Sequence, residues 1–218
     1  RTLRFPESMG HELAEIPGIA LVQKVRNARI AFRGGPVMLV ATEIASIAKT
    51  SPRPAVEGDP RTMYERTARG EGVMVADNLA RLHGLHAGDT LEVQAPYGTI
   101  TLPIVGIVVD FTDQQGTILI DLTVYQRYWR DDTVNIFRVY LTPDGDVPTV
   151  QRLILERFER DRQLFVLTNR ELKAYILRVT DQWFGLTSVQ IAVAVLVAIL
   201  GIVNTLTVSI TARRRELG

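Results

Sequence analysis

The chain has 218 residues, no cysteine and a formal net charge of +1, and 22% of its residues are charged. This length suits one or two domains, and the lack of cysteine excludes a disulfide framework and any thiolate metal site. A charge so close to zero argues against a nucleic-acid partner, because neutralising phosphates needs a basic surplus. A hydrophobic content of 46% excludes a disordered chain and predicts a buried core.

The first 49 residues predict a helix followed by a β-hairpin. The helix falls within residues 6–16, where apolar residues recur at helical spacing after a proline that suits a first turn. Two strands rich in Val, Ile and Ala follow at 19–32 and 36–44, and Gly34-Gly35 provides the turn between them.

Residues 50–129 differ from the first 49 in composition and in the spacing of their predicted elements. Residues 50–70 are polar and rich in Pro and Gly, which indicates a connection between subdomains. Short strands then alternate with turns and a helix at 78–83, and Asp121 suits the N-cap of an aromatic helix at 122–129. Strands at this spacing favour a small β-barrel or sandwich. The strands predicted here are 73–75, 89–94, 99–111 and 116–120.

The alternation of strands and helices returns after residue 130. A strand is predicted at 134–141, an amphipathic helix at 147–160 and a second strand at 164–167. Residues 1–49 and 130–170 are therefore interpreted as one discontinuous α/β layer, into which residues 50–129 are inserted as a β-rich subdomain. The predicted fold class is α+β.

A membrane-spanning helix is predicted at residues 189–210. Val, Ile and Leu occupy 13 of these 22 positions, and no charged residue occurs from Gln182 to Ala212. At ~1.5 Å per residue the helix is about 33 Å long, enough to cross a hydrocarbon core of about 30 Å. The alternative is a buried helix of a large soluble protein, but such helices seldom run so far without a charge.

The segment before the span predicts a stalk helix over residues 171–188 that continues into the span without a break. Its apolar residues share one side of the helix. They are Leu172, Ile176, Val179, Trp183 and Leu186.

The flanks of the span indicate its orientation. Three arginines followed by Glu216 come directly after it, and arginine clusters on the cytoplasmic side of membranes. Residues 1–180 are thus expected to be extracytoplasmic, and residues 211–218 to begin a cytoplasmic segment. The predicted basic cluster is Arg213, Arg214, Arg215 and Glu216.

One side of the span carries small and polar residues at a spacing of three or four. Such residues let helix backbones approach closely, and a polar side chain in lipid needs a hydrogen-bond partner. We therefore predict a packing face for other transmembrane helices, with a lone anchor as the alternative. This face consists of Ala194, Ala198, Gly201, Asn204 and Thr205.

No catalytic, cofactor-binding or metal site is predicted, and the chain is expected not to be an enzyme. The sequence contains no G-x-x-x-x-G-K-[ST] phosphate loop and no G-x-S-x-G nucleophile elbow. His83 and His86 form the one spacing that suggests metal ligands, but solvated loop histidines explain this pair better.

Several segments resemble the extracytoplasmic domain of FtsX-like ABC transporter permeases. They read GVMVADNLARLHGLHAGDTLEV, ITLPIVGIVVDF and GTILID, in that order. The C-terminal NTLTVSITARRRELG resembles the first transmembrane helix of this family, which ends in a basic cluster followed by Glu and Gly. The resemblance covers about residues 70–218. The matching positions in the first two segments are Leu79, Leu82, Leu85, Gly88, Asp89, Val105, Gly106 and Asp110.

The resemblance implies a MacB-like, porter-like α/β layer with an inserted small barrel, in a non-catalytic permease subunit of the cell (inner) membrane. A separate cytoplasmic ABC ATPase would hydrolyse ATP, and this chain would couple hydrolysis to extracytoplasmic work on a lipid, lipoprotein, peptide or similar cargo. Because residue 1 is Arg, we expect a fragment of a multi-pass protein. Expected partners are membrane lipid, the ATPase, and transmembrane helices of the same permease or of a second copy. The competing hypothesis is a membrane-anchored extracytoplasmic binding or sensor module without ATP coupling.

Overall fold

The structure is a computed structural model that describes residues 3–158 and 165–216, in two units, Arg1–Arg160 and Asp161–Gly218. In the first unit the strands are β1 (Phe5–Pro6), β2 (Ile19–Phe32), β3 (Gly35–Thr42), β4 (Ala55–Glu57), β5 (Val73–Ala76), β6 (Thr90–Ala95), β7 (Gly98–Val108), β8 (Thr117–Asp121), β9 (Thr133–Val134) and β10 (Ile136–Leu141). Its helices are α1 (Met9–Ala14), α2 (Ile44–Thr50), α3 (Pro60–Ala68), α4 (Asp77–His83), α5 (Leu122–Trp129) and α6 (Val147–Phe158). The second unit contains α7 (Asn169–Glu216).

The hairpin β2–β3 lies inside an eight-stranded sheet. Strands follow the order β10-β2-β3-β8-β5-β7-β4, and β6 pairs with β7 beside this path. Arg33 and Gly34 have φ angles of +47° and +84°, the left-handed conformation that a tight hairpin turn requires at both central positions. The predicted hairpin is thus confirmed, but its turn is Arg33-Gly34 rather than Gly34-Gly35, and β3 runs from Gly35 to Thr42 rather than from residue 36 to residue 44.

Strand β10 pairs antiparallel with β2, and β3 pairs in parallel with β8. Two strands from the second half of the first unit therefore flank this N-terminal hairpin, one on each side. The described strands β8, β5, β7 and β4 are consecutive members of this open order, so the closed barrel predicted within residues 50–129 is not confirmed. The division of the chain into a discontinuous layer and an inserted subdomain stays a prediction.

Two apolar clusters among the described residues of the first unit pack against its sheet. The larger joins β2, β3, β5 and β8 to the β6–β7 hairpin and to α5, with Tyr125 among its fully buried side chains. The smaller lies beneath α2 and α3 and buries Ile44, Ile47, Met63 and Tyr64 against β5, β7 and β8. Burial of each such aliphatic side chain stabilises the fold by about 1.5–3 kcal/mol.

Residues 50–70, predicted to connect two subdomains, contain the regular elements β4 and α3, which the sequence analysis does not predict. The carboxylate of Asp59 accepts hydrogen bonds from the backbone N–H groups of Arg61 and Thr62, both at 3.3 Å, which caps α3. Pro60 occupies the first helical position, where its missing N–H costs no hydrogen bond.

Two predicted strands also differ from the structure. The strand predicted at 99–111 ends at Val108. The strand predicted at 164–167 is not formed at residues 165–167, which carry no regular structure, and residue 164 lies outside the described residues. The cap predicted at Asp121 is confirmed, since its carboxylate accepts a 3.0 Å hydrogen bond from the backbone N–H of Thr123 in α5.

Helix α7 contains 48 residues, which is about 72 Å at 1.5 Å per residue. A reciprocal cap begins it: the Thr168 hydroxyl accepts from the Glu171 backbone N–H at 3.1 Å, and the Glu171 carboxylate accepts from the Thr168 N–H at 2.7 Å. No helical stretch among the described residues combines the length and the apolar character that crossing a bilayer requires. The span predicted at 189–210 is therefore not confirmed, and the side chains of residues 204–210 lie outside the described ones.

Candidate functional site

The two histidines of the H-x-x-H spacing have different partners. The ring of His83 meets that of Phe32 edge to face, with ring centroids 5.2 Å apart. His86 Nδ1 lies 3.1 Å from the Glu57 carboxylate, on an exposed surface. Among the described residues, no cluster of three or more His, Cys, Asp or Glu side chains is arranged to hold a metal ion. Other charged side chains are buried by the fold.

A buried arginine links β2 to the segment after α5. Arg26 is only 4% exposed, and its Nη2 donates a 2.8 Å hydrogen bond to Asp131 Oδ2 while its Nε donates to the Tyr125 hydroxyl at 3.2 Å. The Tyr125 hydroxyl donates in turn to Asp131, and its ring stacks on Trp129 with centroids 4.8 Å apart. All three polar groups are thus satisfied, which makes this cluster a structural joint between distant parts of the chain.

Acid is expected to weaken this joint. Burial alone raises the pKa of Asp131, but hydrogen bonds from Thr133 and the pairing with Arg26 outweigh it and lower the pKa from 3.8 to about 2. Because the folded-state pKa is depressed, the stabilisation is present above about pH 4 and is lost as the pH falls towards 2. Asp131→Asn is expected to lower the free energy of unfolding by about 2 kcal/mol at pH 7 and to remove this pH dependence.

Denaturant unfolding between pH 2 and pH 7 measures both effects, with Asp132→Asn as the control because Asp132 is the exposed neighbour. An equal loss of stability in the two variants would contradict the role assigned to Asp131.

A groove of about 580 Å³ lies between α2 and α3, and we call it the basic groove. Its apolar lining consists mainly of small or rigid side chains, among them Ala45 and Ala48 from α2 and Ala68 and Tyr64 from α3. Tyr64 is buried, and its hydroxyl accepts a 2.7 Å hydrogen bond from the backbone N–H of Arg53. The groove is therefore preformed, since the segment between α2 and β4 is fixed to α3.

The charged lining of the basic groove is mostly cationic. It comprises Lys49, Arg53, Arg61 and Arg69, with Glu65 as the acidic member. Two of these cations have acidic partners. Arg53 forms an ion pair with the buried carboxylate of Asp110, and Arg69 Nε lies 3.0 Å from the Glu71 carboxylate.

The counter-charge beneath the groove is firmly ionised. Burial raises the pKa of Asp110, but its hydrogen bonds with Thr112 and its pairing with Arg53 lower that pKa below the usual value overall. The Asp110 side chain is only 2% exposed, so it fixes Arg53 without presenting a negative charge to solvent. Lys49 and Arg61 stay exposed on the rim of the groove.

A loop that displays one aromatic side chain follows directly after Asp110. Phe111 is 92% exposed, the most exposed of the large hydrophobic residues in the described part of the first unit. The loop itself is braced, because the Asn78 side-chain amide donates to the carbonyl groups of Asp113 and Gln114 at 2.9 and 3.2 Å. A rigid loop therefore presents Phe111 to solvent beside the ion pair that supports the basic groove.

Neither the basic groove nor the exposed Phe111 is predicted by the sequence patterns. The basic groove depends on α3, and the Asp59-Pro60 pair is the capping signal that could have identified that helix. Cations at positions 49, 53, 61 and 69 recur at multiples of four, but only the packing of α2 on α3 brings them to one groove. Phe111 was assigned to the end of a strand, which would have buried or paired it.

The residues predicted to form the membrane packing face lie on α7. Ala194, Ala198 and Gly201 are exposed, whereas the side chains of Asn204 and Thr205 lie outside the described residues. A methyl group built on Gly201 meets no atom within 4 Å. The side chains of the predicted basic cluster at 213–216 also lie outside the described ones, and the roles of both sets stay predictions.

Comparison with known sequences adds one relative. An uncharacterized ABC transporter permease protein of Mycobacterium tuberculosis is 24% identical over 164 residues, which are 75% of this chain and 19% of that protein. The present chain thus spans about a fifth of the length of the curated relative that it matches. No protein-family model matches the sequence.

Comparison with solved structures gives two neighbours of the same kind. The periplasmic region of MacB from Actinobacillus actinomycetemcomitans has a TM-score of 0.56 at 10% identity, covering 79% of this chain and 82% of that one. The extracellular domain of the noncanonic ABC-type transporter YknZ from Gram-positive bacteria has a TM-score of 0.53 at 10% identity, covering 72% and 85%. At this identity the likeness is one of fold. Together with the permease relative, it confirms the predicted resemblance to the extracytoplasmic domain of FtsX-like and MacB-like permeases.

Proposed function

We propose that this chain, an extracytoplasmic domain of the FtsX-like and MacB-like permease kind, is the non-catalytic part of an ABC transporter that converts ATP hydrolysis into motion outside the cytoplasm. The observation that carries the proposal is helix α7, which runs unbroken from Asn169 to Glu216. A single helix of this length can transmit displacement along its axis, because each residue is held to the one four positions away.

The proposal places the middle of α7 in the membrane. Its support is the charge-free, aliphatic stretch at 189–210 and the arginines that follow it. Residues 1–180 then lie outside the cytoplasm, and Arg213–Arg215 lie on the cytoplasmic side. In the full-length protein, the span is one of several, and Ala194, Ala198, Gly201, Asn204 and Thr205 face other helices of the same permease or of a second copy.

The ATPase in this proposal is a separate cytoplasmic subunit. Its hydrolysis cycle displaces the membrane helices, α7 acts as a lever, and the first unit performs work on a lipid, lipoprotein, peptide or similar cargo. The similarity to an ABC transporter permease protein of Mycobacterium tuberculosis supports this partner. The ion pairs and helix caps of the first unit suit a mechanical role, because they fix the helices to the sheet. They are not arranged to activate a nucleophile.

Cysteine labelling in the full-length protein tests the orientation. The chain has no cysteine, so Asp144→Cys, in an exposed turn, and Ala212→Cys each introduce a unique thiol. An impermeant maleimide applied to intact cells is expected to label position 144 at once and position 212 only after permeabilisation. The reverse pattern would overturn the proposed topology, and labelling of both positions in intact cells would overturn the span.

A further inference from the structure

We propose that helix α7 pairs with α7 of a second copy of this chain, in a parallel, two-stranded coiled coil that runs from the stalk into the proposed span. The inference rests on the proposed function, because it requires the middle of α7 to lie in the membrane. It goes further than that function, since it assigns one face of α7 to one partner.

The face in question, which we call the heptad seam, consists of two interleaved series of residues along α7. Its d series recurs every seven residues and consists of Leu172, Val179, Leu186, Val193 and Leu200. Its a series begins four residues later and consists of Ile176, Trp183, Gln190, Val197 and Asn204. Alternate spacings of four and three favour a left-handed coiled coil, in which the a and d side chains of one helix pack between those of another.

The heptad seam offers enough apolar surface for a stable pair. Eight of its ten positions are Leu, Ile, Val or Trp, and Leu172, Val193, Val197 and Leu200 are each between 44% and 60% exposed. Full packing of one such side chain covers about 60–120 Å², so the two helices together would bury roughly 1,000–2,000 Å². Specific, stable interfaces bury about 1,200–2,000 Å².

Two polar residues of the seam favour an identical helix as the partner. Gln190 and Asn204 both occupy a positions, two heptads apart, within the predicted span. In a parallel pair of identical helices each lies opposite its own counterpart, and two facing amides can donate and accept hydrogen bonds reciprocally. An asparagine at an a position also fixes the register of such a pair. A different helix would need amides at the same two levels.

The charges of the stalk do not oppose this pairing. In a parallel coiled coil the e and g residues of the two helices lie beside the seam and face each other. Before the span, Lys173 is the one charged residue of α7 at such a position, and its counterpart on the second copy is Thr168. Arg170, Glu171 and Arg178 fall at b and c positions, on the outer side of the pair. No like charges therefore face each other across the seam.

Disulfide crosslinking of single cysteines tests the pairing, because the chain has no cysteine of its own. The full 218-residue chain is reconstituted alone, at a low ratio of protein to lipid, in phosphatidylcholine vesicles and oxidised with copper phenanthroline. Val193→Cys lies in the seam, and its matched control is Val195→Cys, which lies on the opposite side of α7 and is similarly exposed, at 53% against 57%. In the stalk, Val179→Cys and Leu177→Cys form a second pair of seam and control positions.

The linked dimer is expected to form about tenfold faster or more at positions 193 and 179 than at positions 195 and 177, because a disulfide requires adjacent Cβ atoms. Adding Asn204→Val to Val193→Cys is expected to slow the reaction about three- to tenfold, through loss of the hydrogen bond between the two amides. Thr205→Val is the control for this change, since Thr205 belongs to the predicted packing face but not to the seam, and it is expected to leave the rate unchanged.

Equal crosslinking rates at seam and control positions would overturn the proposal, and so would equal effects of Asn204→Val and Thr205→Val. Alkaline extraction of the vesicles reports separately on the span. A chain that stays in the membrane but does not crosslink at positions 193 and 179 overturns the pairing, assigns the seam to a different helix and leaves the transport proposal standing. A chain that alkali extracts overturns the span and the pairing together.

Discussion

Replacing Val179 by proline is expected to uncouple the first unit from the ATPase of the proposed transporter. Val179 lies ten residues into α7, where proline removes one backbone hydrogen bond and clashes with the preceding turn. The cost to helix continuity is about 3 kcal/mol or more, which corresponds to roughly a hundredfold change in an equilibrium or a rate. If α7 is the lever, this break prevents motion in the membrane from reaching the first unit.

The measurement compares the full-length transporter, reconstituted with its ATPase, with and without Val179→Pro. The readout is the ATP-dependent change in maleimide labelling of Asp144→Cys, which is expected to disappear while ATPase binding is retained. Val179→Ala is the matched control, because alanine keeps the helix and loses only packing. A proline variant that responds to ATP as strongly as the alanine variant, at equal membrane abundance, would show that α7 is a tether and not a lever.

Gly116→Ala is expected to destabilise the first unit by about 3–5 kcal/mol, through backbone strain together with overpacking. Gly116 has a φ of +106°, and a Cβ built there would lie 2.5 Å from Leu79 Cβ and 3.0 Å from Leu79 Cα. Leu79 is fully buried in the larger core cluster and has no room to yield. A loss of this size is a large part of the stability of an ordinary domain.

Gly34→Ala is the matched control for this substitution. Gly34 has a similar φ of +84°, but a Cβ at that position would meet no atom within 4 Å. Only backbone strain of about 1–2 kcal/mol is expected there. Denaturant unfolding, followed by near-ultraviolet circular dichroism, gives the free energy of unfolding of each variant. The difference between the two variants is the contribution of overpacking against Leu79. Equal losses of stability would show that Leu79 makes no such contribution.

Much of the first unit follows from local patterns. The hairpin β2–β3 was predictable because two long runs of strand-forming residues flank a Gly-Gly pair. Helix α6 was predictable from its buried residues at positions 150, 154 and 158, which share one face. Helix α3 was missed because Pro52, Pro54 and Pro60 together indicate a loop, although a proline at the first helical position does not break a helix.

The candidate site was far less predictable, because long-range contacts build it. Arg53 lies 57 positions before Asp110 in the sequence, and their pairing depends on β4 lying beside β7. Arg26 and Asp131 are 105 positions apart. No periodicity in the sequence indicates which of the 25 cations and 24 acids will meet. The exposure of Phe111 depends in the same way on the Asn78 amide that braces its loop from another element.

The central position of the β2–β3 hairpin has a consequence for biogenesis. This hairpin is synthesised early. Its β3 edge pairs with β8 and its β2 edge pairs with β10, and these strands are synthesised about 75 and 95 residues later. Until residues 117–121 have emerged, both edges carry unpaired backbone groups that can pair with another chain, and the β2 edge stays unpaired until residues 136–141 follow. If the first unit crosses a membrane with its N-terminus first, its sheet therefore cannot be completed until β10 has crossed as well.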